Sequence, residues 1–60
     1  MFLLYKIVYA QEEHLHTAIE KVENQVNKLK KQGWLEQGGV SISCELESFC
    51  YAAQGMVKND

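Results

Sequence analysis

Four groups of residues in this chain carry side chains that chemistry uses. His14 and His16 stand beside Glu12 and Glu13, and imidazoles with carboxylates are familiar metal donors. On a helix, however, residues two apart diverge by about 200°, whereas zinc-binding pairs sit three or four apart. The spacing predicts a solvated helix start. Cys44 and Cys50 would need a lowered thiol pKa to act as nucleophiles, and neither begins a helix. Glu36, Glu45 and Glu47 lie around one strand, with no sign of the apolar pocket that a working carboxylate pair requires. Gly38-Gly39-Val40-Ser41 looks like a phosphate cradle, but a phosphate loop opens a helix whose amides hold the anion, and this glycine pair opens a strand. The expectation is a protein without catalytic residues, metal or cofactor, and not an enzyme.

A binding role survives that sieve. Exposed glycine amides together with Trp34, Gln37, Ser41 and Tyr51 offer aromatic faces and backbone donors, which suit a planar ligand such as a base or nucleoside. The candidate ligand residues are Trp34, Gln37, Gly38, Gly39, Ser41, Tyr51 and Gln54.

The elements that must position them are legible from periodicity. Residues 2–9 read as a strand that is apolar on both faces: Phe2, Leu4 and Val8 on one side, with Lys6, and Leu3, Tyr5, Ile7 and Tyr9 on the other. Residues 12–32 read as a helix, because Leu15, Ile19, Val22, Val26 and Leu29 recur at steps of four and three. Thr17-x-x-Glu20 is a capping-box pattern that would move the regular start to Ala18. Gly33 is the expected left-handed residue at the helix end, and Trp34 should fold back over the last turn. Residues 40–47 alternate as a half-buried strand. Residues 49–57 form a third strand, uncharged before Lys58 and suited to the middle of a sheet. A turn near Glu47-Ser48 joins them. The reading is one α+β domain over residues 1–60 with order β-α-β-β. One helix packs on a three-stranded sheet of order 1-3-2, the first two strands parallel and the third between them.

Composition bounds the rest. The 60 residues are 47% apolar, enough for a core, with a net charge of −2. All six basic residues are lysines, so the bidentate arginine reader of phosphate and guanine is missing, and nucleic acid is an unlikely partner. The apolar N-terminus carries Lys6 inside its run, unlike a signal peptide, and falls short of the ~20 residues of a membrane span. A cytoplasmic protein with free, half-buried cysteines is expected.

Tyr5-Lys6-Ile7-Val8, Val26-Asn27-x-Leu29-x-x-x-Gly33-Trp34, Gln37-Gly38-Gly39-Val40-Ser41 and Gln54-Gly55-Met56-Val57-Lys58 resemble, over nearly the whole chain, a small family of bacterial and phage proteins. That family is catalogued as a domain of unknown function (number seventeen thirty-seven). The resemblance implies a β-α-β-β fold and no catalytic residues. Gln11 to His16 stands as an insertion relative to it, and Gly55 occupies a position where members tend to carry Ala.

A sheet with two apolar faces and one helix leaves one face to a partner. The chain is therefore expected to be a homodimer or higher homo-oligomer that completes its sheet by self-association, through Phe2, Leu4, Val8, Phe49 and Tyr51. The functional expectation is a phage or bacterial accessory protein, in an anti-defence setting, that sequesters a small nucleotide-like ligand or signal molecule at a subunit interface. The alternative is a protein–protein inhibitor that occupies a host defence protein.

Overall fold

A computed structural model describes residues 3–45 and 49–59 of the chain. The order is β1 (Leu3–Glu12), α1 (Leu15–Lys30), β2 (Leu35–Cys44) and β3 (Cys50–Asn59). β3 lies in the middle and pairs antiparallel with both neighbours, giving the order β1-β3-β2. This is the β-α-β-β arrangement that periodicity predicts. The turn expected at Glu47-Ser48 falls outside the described residues.

Several element boundaries move: β2 runs Leu35–Cys44 where a strand over 40–47 is expected, and β3 runs Cys50–Asn59 where 49–57 is expected. The expected first strand ends at residue 9, but β1 continues through Glu12, because Gln11 and Glu12 pair with Tyr51 and Cys50 across the long central strand. The helix then starts at Leu15, between the two starts weighed from sequence. Its N-cap is His14, with extended backbone and no side-chain cap hydrogen bond. The Ala18 N–H donates to the His14 carbonyl, so Thr17 lies inside the first turn and its capping-box pattern goes unused.

The helix ends as expected. The Gly33 N–H donates to the Lys30 carbonyl at 3.1 Å and the Trp34 N–H to the Leu29 carbonyl at 3.1 Å. Those two bonds, with Gly33 at φ +96°, make a Schellman motif. Trp34 then packs against the core cluster, of which Leu29 is a member. A Cβ on Gly33 would meet only the Lys58 side chain at 3.5 Å, so backbone strain alone opposes substitution. Gly33→Val is expected to cost about 1 kcal/mol or more, read as a lowered midpoint in urea unfolding.

The core is built from Val8, Ala10, Ala18, Val22, Leu29, Ala52 and Met56, with Ile19, Val26 and Trp34 around it. Three alanines at the centre let the helix approach the sheet closely, and Met56 fills the remaining space. The helix covers the face of β1 that carries Val8 and Ala10. The opposite face, with Leu3, Tyr5, Ile7 and Tyr9, is open. Val8 is 4% exposed and its neighbour Tyr9 is 72% exposed. This corrects the expected interface. Val8 belongs to the core beneath the helix and has no surface for a second copy, and Leu4 lies on the same helix-side face. Phe2 falls outside the described residues. Phe49 is partly exposed, and only Tyr51, from that set, lies among the side chains of the open face.

Candidate functional site

The Gly38-Gly39 pair does not open a strand, because β2 begins at Leu35 and runs through it. Gln37 stands opposite Gly55 and Ser41 opposite Ala53, so Gly38, Gly39 and Val40 together face the single residue Gln54. The pair is a bulge of two extra residues. Gly38 takes φ +75° there, a conformation that favours glycine. An insertion of two preserves side-chain parity, so Leu35, Gln37, Ser41 and Ser43 share the open face, while Glu36, Ile42 and Cys44 share the helix side.

A bulge interrupts the ladder and leaves carbonyls to be satisfied. Gln54 does this. Its Nε2 donates to the carbonyls of Gln37 (3.3 Å), Gly38 (3.0 Å) and Gly55 (3.0 Å). At 7% exposure it is the buried polar residue of the core region. We expect Gln54→Leu to lose these bonds and cost about 1–3 kcal/mol. A thermal melt should fall by roughly 4–24 °C at the ~4–8 °C per kcal/mol of a small domain, and an unchanged melt would show that the bulge holds itself.

The structure divides the seven candidate ligand residues between two sides of the sheet. Gln37, Ser41 and Tyr51 share the open face, where a shallow apolar depression is lined by Ser41, Ser43, Tyr51 and Ala53. Gln54 lies on the helix side, where it lines a cleft of about 350 Å³ between α1 and β2. Trp34 packs on the core at the helix end. Gly38 and Gly39 connect the two sides through the bulge, and a Cβ on either would meet nothing within 4 Å.

The helix–β2 cleft was not legible from spacing. Its residues Ile19, Val22, Glu23, Val26 and Asn27 come from the helix stripe and its flank, and Glu36, Val40 and Gln54 from two strands. It opens because α1 packs mainly on β1 and β3 and touches β2 least. Glu36 at its rim pairs with Lys30 at 3.3 Å. Its carboxyl is held below the usual carboxylate range, first by a hydrogen bond from its own backbone and then by Lys30.

His14 and His16 meet, with ring centroids 5.7 Å apart and stacked. The helical divergence argument fails for them because His14 precedes the helix. Among the described residues no group of three metal-type side chains converges. Cys44 and Cys50 face each other at the end of the β2–β3 ladder and are joined by a disulfide, which corrects the expectation of free thiols: strand pairing puts their Cα atoms 4.0 Å apart. Among the described residues no helix is long and apolar enough to cross a membrane. Compared with family models, curated proteins and solved structures, the chain finds no match.

Proposed function

We propose that this chain is a non-enzymatic binding protein that works as a homo-oligomer, two copies meeting through the open sheet face. One observation carries the proposal: Leu3, Tyr5, Ile7 and Tyr9 of β1 and Leu35 of β2 are all exposed on the face that the helix does not cover. Large apolar side chains gathered on one exposed face are the kind of patch that marks an interaction surface, and Tyr51, Ala53 and Val57 of the central strand lie between them on the same face. A two-fold contact of that face with itself covers it at no cost in new sequence.

Such a contact would bring Gln37, Ser41 and Tyr51 of two copies to one seam. A flat nucleotide-like ligand held between the tyrosine rings is the reading that a seam of aromatic faces and hydrogen-bonding side chains favours.

Sedimentation equilibrium at micromolar protein tests the assembly. A mass of at least twice 6.9 kDa is expected, and a clean monomer overturns it. A thermal shift with a nucleotide panel tests the ligand separately, since no shift with any nucleotide removes the ligand and leaves the dimer standing. A second reading, occupation of a host protein surface, draws on the outer edges of β1 and β2, which have no strand beside them among the described residues and would accept one from a partner. Monomeric protein that captures a folded host protein would support it.

A further inference from the structure

We propose that the cleft between α1 and β2 binds a small free molecule with a flat apolar body and a cationic N–H donor head, of the amidinium or guanidinium class. The site lies on the helix side of the sheet, opposite the face assigned to self-association, and stands whether or not the chain dimerises. Ile19, Val22 and Val26 of α1 and Val40 of the bulge supply its apolar walls. Its volume of about 350 Å³ falls in the range of small-molecule sites, roughly 300–1,000 Å³.

The polar groups on those walls are two carboxylates and two amides, and none of them is cationic. Glu23 and Asn27 come from the helix, Glu36 and Gln54 from the sheet. Gln54 is more than nine-tenths buried. Its three carbonyl partners accept only, so the nitrogen end of the amide must face them. All three of those bonds run through Nε2, and Oε1 is not a sealed, unsatisfied atom. Oε1 is therefore the acceptor that Gln54 has left for the cleft it lines. The rim holds two carboxylates, of which Lys30 pairs with Glu36. One net negative charge remains at Glu23. A cation is attracted, an anion is repelled, and a donor head finds acceptors, while the aliphatic walls accept a flat ring.

Titration of ¹⁵N-labelled protein with three compounds of one shape tests this: benzamidine, benzamide and benzoate, which are cationic, neutral and anionic. Saturable amide shifts at Asn27, Glu36, Val40 and Gln54 are expected with benzamidine. Weaker binding is expected with benzamide, and none with benzoate. Glu23→Gln should lower benzamidine affinity by up to about fivefold, the scale of a partly exposed charge pair, and leave benzamide unchanged. Val40→Trp, at an exposed position, should fill the cleft and abolish binding while the spectrum stays dispersed. Should Val40→Trp unfold the chain, the Glu23→Gln comparison decides by itself. Benzoate binding as well as benzamidine, shifts confined to Tyr5 and Tyr9, or no saturable shift with any of the three would overturn the proposal.

Discussion

Met56→Ala is expected to unfold this protein at temperatures where the parent chain is folded. Met56 is 0% exposed and is the largest fully buried side chain among the described residues. It sits on the central strand, opposite Lys6 on one side and Glu36 on the other, and packs with Ala18 and Ala52, which are too small to collapse into the space it would leave. Truncation of a buried methionine costs about 2–5 kcal/mol through lost transfer energy and the residual cavity. A chain of this length has about 3–9 kcal/mol to lose, at roughly 0.05–0.15 kcal/mol per residue. Urea unfolding followed by tryptophan fluorescence should show a transition shifted to much lower denaturant, or none. Met56→Leu keeps the volume and should cost less than about 1.5 kcal/mol. Equal effects of the two substitutions would mean that the core is less tightly packed around this residue than its burial indicates.

The second large effect separates folding from assembly by a step of one residue. Val8→Lys places a charge in the core and should abolish the folded state, since an unpaired buried charge is among the most costly single changes. Ile7→Lys with Tyr9→Lys places charges only on the open face and should leave the fold intact. The double variant is expected to sediment as a monomer of about 7 kDa where the parent sediments at twice that or more, a weakening of association by several orders of magnitude as like charges oppose each other across a two-fold seam. Circular dichroism of the two variants makes the contrast: native helix and strand signal for the double variant, and a disordered signal for Val8→Lys. A double variant that keeps the parent's mass would locate the assembly elsewhere on the molecule.

These two predictions rest on information of different origin. The order of elements follows from local signals that survive in a bare sequence. The four-and-three spacing from Leu15 to Leu29 makes a helix stripe, the period-two runs make strands, and the glycine at position 33 ends the helix because a left-handed residue without a Cβ costs nothing there. An uncharged third strand between half-wet or mixed neighbours places itself in the middle of the sheet. Strand one is apolar on both faces apart from Lys6, which is the origin of the expectation that a second face is covered.

That balance is also why the sequence alone does not say which face of the first strand the helix covers. With Val8 on one face and Tyr9 on the other, hydropathy does not choose between them. The helix chooses by volume. Ala10 and Ala52 lie together in the β1–β3 register and leave room for Ala18 to approach, whereas Tyr5 and Tyr9 would hold a helix away from the sheet. Tertiary contact likewise decided the Gly38-Gly39 bulge. Leu35-Glu36-Gln37 has no apolar alternation to announce a strand, and the carbonyls that make the bulge tolerable are satisfied by Gln54, which is distant along the chain. It joined Cys44 to Cys50, because antiparallel pairing sets opposite each other two residues whose spacing alone is neutral. And it assembled the α1–β2 cleft from a helix flank, a bulge and a central strand, a juxtaposition that exists only once the helix has settled over β1 and β3 and left β2 partly uncovered.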